Sequence, residues 1–309
     1  MFKFEREQKI LDVSGVKVGG QPGELPTVLI GSIFYSGQDI VLDENKGLFD
    51  KAKCEALVKK LESLSDLTTN PFMLDITGPT EEAFIRYIDF VADNTGAPFL
   101  INAFSPSLRI SAARHAVEIG LADRVIYNSI QKDAKDEELE ALRNLGIKAA
   151  TILAYDPHDE SINASASGRL DILKEILPLS EKAGIEKAFL DTAMPAFGAG
   201  IGAATRAIYL VKEEYGDRCA VGTHTSNATG TFSWVKDNLS EENRKACDAS
   251  QNAIMPIIGA DWIMFGPVET ADYIFPAVAT IDTYIITATA ELGINPAVEG
   301  MHPIFKLIY

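Results

Sequence analysis

The chain is poor in the residues on which many binding and catalytic classes depend. It has 309 residues but only three cysteines and four histidines. Cys54, Cys219 and Cys247 lie far apart and form no Cys-x-x-Cys pair, which supports neither a zinc knuckle nor a disulfide framework. Reduced thiols in a cytoplasmic setting are the expectation, and Cys219, at the head of an apolar run, reads as a small buried hydrophobe. A mononuclear metal centre needs two or three histidines or carboxylates together. With the histidines scattered, no intrinsic metal is expected. The 28 basic residues against 44 acidic ones leave a net charge of −16 and no basic cluster. Nucleic acid and anionic membrane surfaces are therefore not expected partners. Acid runs such as residues 136–140 read as solvated helix faces. The longest apolar stretch, within residues 273–290, is interrupted by Pro276, Asp282 and several threonines. It reads as a buried helix, and no membrane insertion is expected. The first nine residues have no signal-peptide hydrophobic region. No Pro/Gly/Ser-rich linker, low-complexity tract or strong repeat divides the chain, so residues 1–309 are expected to form a single domain.

What is present is a series of short apolar runs, each closed by aspartate or asparagine. Residues 71–74 end on Asp75, 98–101 on Asn102, 125–127 on Asn128 and 188–190 on Asp191. A later run, 219–221, leads through Gly-Thr-His-Thr-Ser to Asn227. Each run has the length and bulk of a buried parallel strand, and most precede a helical pattern. Thr80-Glu-Glu, for example, supplies an N-cap with acids in the first turn. Eight strand-then-helix units alternate, with strands expected at 27–35, 71–75, 98–102, 125–128, 149–155, 187–191, 219–222 and 261–265. Ahead of them, residues 8–13 and 16–18 flank Ser14-Gly15 as a β-hairpin, expected to cover the bottom of the barrel. Strict alternation predicts an α/β chain folded as a (β/α)8 TIM barrel with an N-terminal β-hairpin. In such a barrel all strand C-termini converge on one mouth, so the five polar residues would ring a single pocket. They hydrogen-bond well and include no obvious nucleophile, which suits recognition of a polar heterocycle. The competing reading is that aspartate and asparagine merely cap helices and shape turns.

Other motifs are weaker. Gly198-Ala-Gly-Ile-Gly202 is a GxGxG that follows the sixth strand, unlike a dinucleotide fingerprint after the first. A tight turn, or a helix N-terminus holding an anionic group, remains open for it. Asp156-Pro-His158 resembles the start of a cobalamin-binding motif, but Ser161 stands where glycine is needed, so a loop at the mouth is expected. His224, just past the seventh apolar run, reads either as a general acid or base or as a structural hydrogen-bonding group. Lys187 starts the sixth strand, at the wrong end for a Schiff-base aldolase.

Several long stretches carry a resemblance. They are Met1-Phe-Lys-Phe, Val18-Gly-Gly-Gln-Pro-Gly-Glu24, Thr27-Val-Leu-Ile-Gly-Ser-Ile-Phe-Tyr35, Tyr87-Ile-Asp-Phe-Val-Ala-Asp93, Gly120-Leu-Ala-Asp-Arg124, Ile126-Tyr-Asn-Ser-Ile130 and Phe265-Gly-Pro267. Through them the chain resembles the H-subunit family of tetrahydromethanopterin S-methyltransferase. It is most similar to that family's bacterial methylcobalamin:tetrahydrofolate methyltransferases of corrinoid-dependent glycine betaine demethylation. The resemblance implies methyl transfer from methylcobalamin, carried on a separate corrinoid protein, to N5 of tetrahydrofolate. The alternative is a tetrahydromethanopterin-specific methyltransferase component of a corrinoid-dependent complex. A homodimer is implied on the same ground. The wider class of pterin methyltransferase barrels implies pterin-binding roles for Asp75, Asn102 and Asp191. It also places Asn227, of Ser226-Asn227, near N5, and Asn128 of Tyr-Asn-Ser is a natural addition. Asn227 and Asp191 are the expected catalytic residues. The sequence departs from the wider class after Ser226-Asn227, at residues 225–229.

Overall fold

A computed structural model of the chain describes residues 2–196 and 200–308. The strands, in chain order, are β1 (Ile10–Val13), β2 (Val16–Gly19), β3 (Val28–Ile33), β4 (Val41–Asp43), β5 (Leu48–Phe49) and β6 (Phe72–Thr77). They continue with β7 (Phe99–Asn102), β8 (Val125–Ile130), β9 (Ala149–Leu153), β10 (Lys187–Asp191), β11 (Cys219–His224) and β12 (Trp262–Pro267). Strand β3 and strands β6 to β12 close into an eight-stranded barrel in sequential order, every pair parallel. This is the (β/α)8 barrel that the alternating pattern predicts.

The barrel strands are covered on both faces, which explains their nearly continuous apolar runs. All six residues of β3, for instance, are buried. Several helices start where short polar side chains meet free N–H groups. Asp50 accepts from Lys53 N–H, Thr80 from Ala83 N–H, and Ser105 from Leu108 N–H with Pro106 opening the helix. Helix Asp136–Leu145 carries Asp136, Glu137 and Glu138 in its first turn and ends on Gly146 in the left-handed region.

The N-terminal hairpin pairs β1 with β2 and packs Leu11, Val13 and Val18 against barrel-interior side chains including Ile30, Met73, Leu100, Phe189 and Trp262. It plugs the end of the barrel opposite the strand C-termini, as its sequence position suggests. A small β4–β5 hairpin after the first barrel strand was not expected from the sequence. Three further differences are boundaries. Strands β6 and β8 run two residues past Asp75 and Asn128. Residues 251–259, an apolar stretch, mostly continue helix Glu241–Ile258. The loop after β9 contains the short helix Glu160–Asn163. Helix Ala271–Thr289 packs Ile274, Phe275, Val278 and Ile286 against the protein. The span 268–292 is long and apolar enough to cross a membrane by length and composition, with half of the window buried inside the protein.

Two pairing irregularities lie at the mouth. The β8–β9 register shifts between Tyr127 and Ile130, around Asn128, and the β12–β3 register shifts between Met264 and Gly266. Such bulges re-aim side chains at barrel rims.

Candidate active site

The C-terminal mouth opens on a cavity of about 1020 Å³, at the upper end of typical ligand pockets. Its lining brings together Asn102, Asn128, Asp191 and Asn227, from four separate elements, along with His224. Asp75 takes a different place. It is 1% exposed and does not line the cavity. Its Oδ2 accepts from Ser32 Oγ at 3.0 Å and Asn102 Nδ2 at 3.2 Å, and its Oδ1 from Asn128 Nδ2 at 3.3 Å. The carboxylate thus sits beneath the two amides and fixes which way they face. Thr151 Oγ1 donates to Asn128 Oδ1 at 2.6 Å, pinning that amide from its other end. Burial raises the Asp75 pKa from 3.8 to about 6, against the lowering effect of these three donors.

Asp191 ends β10 and lines the cavity directly. Its Oδ1 accepts from Ala193 N–H at 2.8 Å. The neighbouring Thr223 side chain and His224 backbone N–H also favour the ionised form of this carboxylate. Burial nevertheless raises its pKa to about 6, opposed in part by these groups and by nearby Arg169. Arg169 is 1% exposed, and its Nη1 donates to the carbonyls of Ala154, Thr192 and Ala193 at 3.4, 2.6 and 2.7 Å. It therefore ties the end of β9 to the loop leaving β10 while holding a positive charge near Asp191. Residues 197–199, which include the first two residues of the Gly198–Gly202 motif, lie outside the described residues; Gly200 caps helix Ile201–Tyr215.

Asn227 lies in the short helix Ser226–Thr229 immediately after β11, and its Nδ2 donates to the Met194 carbonyl at 3.2 Å. That turn is anchored through Thr225, whose N–H and hydroxyl reach Met264 O and whose hydroxyl also reaches Asn252 Oδ1. Gly266, with φ +95°, makes room for it, since a Cβ there would stand 2.5 Å from Ser226 Cβ. His224 is partly buried, and one ring nitrogen, Nε2, is 2.9 Å from Ser226 Oγ. Burial lowers the His224 pKa to about 4, so the ring is neutral at pH 7. His158, by contrast, is exposed in the loop after β9, where Asp156 binds its backbone N–H and Lys132. Lys187 lies at the opposite end of its strand from the mouth. Among the described residues no three histidines, cysteines or carboxylates form a metal-binding group.

Sequence reasoning missed much of the supporting structure. Arg109 lines the cavity, 4% exposed, with Nη1 on Ala103 O at 2.7 Å and Nη2 on Glu138 Oε1 at 3.3 Å. The Tyr127 hydroxyl donates to the same Glu138 oxygen, so the acidic helix 136–145 is not wholly a solvated face. Tyr35, Phe104, Tyr155 and Met194 complete the apolar part of the wall, Phe104 being fully exposed. Periodicity alone would have made these residues helix, strand or loop positions. Only Ser32 and Thr151 carried a signal, being polar residues inside apolar runs.

The fold and cavity define a class, a (β/α)8 barrel whose strand ends surround a cavity lined by amides, carboxylates and aromatic side chains. The chain belongs to the tetrahydromethanopterin S-methyltransferase MtrH subunit family, whose model matches residues 6–297. It is 41% identical to the tetrahydromethanopterin S-methyltransferase H-subunit of Methanothermobacter marburgensis over 100% of both chains. It is 39% identical to the H-subunit of a putative mtx methyltransferase of Methanosarcina acetivorans, again over 100% of both. Among solved structures, the fold is similar to dihydropteroate synthase from Xanthomonas albilineans in complex with 7,8-dihydropteroate. That match has TM-score 0.60 and 18% identity, and covers 93% of this chain and 100% of that one. The enzyme from Yersinia pestis matches with TM-score 0.61 at 14% identity, covering 91% and 99%.

Proposed function

We propose that the protein transfers a methyl group between a corrinoid, carried on a partner protein, and N5 of a tetrahydropterin of the methanopterin class. Family membership over residues 6–297, combined with a mouth cavity lined by Asn102, Asn128, Asp191 and Asn227, carries the reading. The name of the full-length Methanothermobacter marburgensis relative favours tetrahydromethanopterin over the tetrahydrofolate expected from the sequence.

The residues suit this chemistry. A carboxylate accepts two parallel N–H bonds from a planar amidine edge, as it does from guanidinium. The 2-amino-4-oxo edge of a pterin offers such donors, and Asp191 is the carboxylate at a strand end that faces the cavity. The amides of Asn102 and Asn128 meet carbonyl and ring-nitrogen atoms, because each amide both donates and accepts. Asp75 holds these two amides from below. Asn227 faces N5 and strengthens a hydrogen bond there as charge develops. Both reacting partners arrive as substrates, so the protein supplies orientation and electrostatic stabilisation and needs no nucleophile of its own.

Methylcobalamin absorbance, followed with free cofactor and with a methylated corrinoid protein, tests the proposal. Decay is expected on addition of tetrahydromethanopterin and protein, with tetrahydrofolate slower. Faster turnover with tetrahydrofolate would overturn the pterin assignment, and no decay with either would overturn the function. Asp191→Ala is expected to weaken pterin binding, and Asn227→Ala chiefly to lower kcat. Unaltered kinetics in both variants would discredit the site.

A further inference from the structure

Methylation of N5 leaves one loose end, a proton. A tetrahydropterin N5 is a secondary amine. When its lone pair forms the new N–CH3 bond, the methyl–cobalt bond breaks with both electrons staying on cobalt. N5 is then a cation that still bears its hydrogen. Neutral product requires that proton to leave, and methyl transfer in reverse requires it to be delivered.

Most polar groups at the mouth are committed elsewhere. The Asp191 carboxylate accepts from Ala193 N–H and, on the proposed reading, holds the pterin edge. The Asn227 amide nitrogen is held by Met194 O, and an amide is a negligible base. Asn102 and Asn128 are tied to Asp75. His224 differs. It ends β11, lines the same cavity as Asn227 three residues on, and has Nε2 on Ser226 Oγ. Its Nδ1 has no hydrogen-bond partner among the described residues. With Nε2–H donating to Ser226, Nδ1 is the lone-pair nitrogen. We infer that His224 accepts the N5 proton on Nδ1 and returns it in the reverse reaction, with Ser226 fixing the tautomer. The proposal rests on the methyltransferase reading and adds a catalytic residue to it.

The neutral state supports the role of base, since burial keeps the ring unprotonated well below pH 7. It also suits a weakly basic, aniline-like nitrogen, because proton transfer is efficient when donor and acceptor are matched. The titratable groups that share the cavity are Tyr35, Glu44, Arg109, Tyr155 and Asp191. Of these, Asp191 lies near His224, on the side of the His224 backbone N–H. Across the strand His224 pairs with Met264, which brings no charge.

The experiment compares wild type, His224→Ala and His224→Gln in methyl transfer from methylcobalamin to tetrahydromethanopterin and tetrahydrofolate, with pterin Kd measured in parallel. Glutamine keeps a polar side chain near Ser226 but takes no proton. Both variants are expected to lose about 10²–10⁴-fold in kcat, with pterin Kd within threefold of wild type. Added imidazole should restore turnover to His224→Ala in proportion to its free-base concentration, with more basic imidazoles rescuing better. A kcat within threefold of wild type in either variant overturns the proposal. So does a low kcat that no imidazole rescues, which marks a structural histidine. An inactive wild type would instead bring down the function on which the proposal rests.

Discussion

Replacing Asp75 with asparagine separates its contribution to the site from its contribution to the fold. The carboxylate is buried, with a pKa raised from 3.8 to about 6. Keeping it ionised at pH 7 therefore costs about 3 kcal/mol relative to a solvated carboxylate, at 1.36 kcal/mol per pH unit. Asparagine removes that cost but retains only one acceptor where three donors converge, from Ser32, Asn102 and Asn128. One or two orphaned donors would cost about 1–3 kcal/mol each. The effects nearly cancel, so Asp75→Asn should change unfolding free energy by less than about 2 kcal/mol. Losing a partner of a buried charge ordinarily costs about 3–5 kcal/mol. The site should suffer more, because the Asn102 and Asn128 amides lose what orients them, and pterin affinity should fall about 10- to 100-fold, about 1.4–2.8 kcal/mol. Urea denaturation at pH 7 and calorimetric pterin titration measure the two quantities. A carboxylate whose folded pKa is raised contributes stability at low pH that is lost as pH rises through about 6. The stability difference, wild type minus variant, should thus grow by about 1.4 kcal/mol between pH 7 and pH 5. Unchanged pterin affinity, a destabilisation above about 4 kcal/mol, or no pH dependence in the difference would refute the reasoning.

Arg169→Met should destabilise by about 2–4 kcal/mol, since three carbonyls lose their donor, whereas Arg169→Lys should recover part of this in urea denaturation. Pterin affinity, measured between pH 5 and 8, should be level above pH 6 and fall up to about tenfold per unit below it, as Asp191 takes up a proton. A flat profile would exclude the Asp191 carboxylate as the pterin anchor. Gly266→Ala should cost about 1–3 kcal/mol from its positive φ and its approach to Ser226. It should also lower kcat at least tenfold, by displacing Asn227, with little change in pterin Kd.

Much of the barrel was legible because its determinants are local. Two-face burial makes the strands apolar, polar caps start the helices, and strict alternation leaves few topologies for eight such units. The hairpin at residues 8–18 was readable from its turn, and so was the convergence of Asp191, Asn102 and Asn227 at one mouth, because parallel strands share their C-terminal end. Orientation was not readable. Asp75 and Asn128 looked equivalent in sequence, each closing an apolar run. Yet β6 and β8 extend beyond them, and the register shift in β8 re-aims Asn128 while Asp75 turns beneath the floor. The Glu138 contact with Arg109 and Tyr127, hidden within an acidic helix, could not be read either.

The sequence alone thus determined the architecture and which strand ends meet at the mouth, because strand, helix and cap signals act over a few residues. Tertiary structure alone decided which polar atoms face the cavity and which face one another. That choice depends on register, burial and hydrogen bonds between residues tens of positions apart, such as Asp75 with Asn128 and Arg169 with Thr192. Desolvation, which raises Asp75 and Asp191 and keeps His224 neutral, likewise exists only once the barrel has closed.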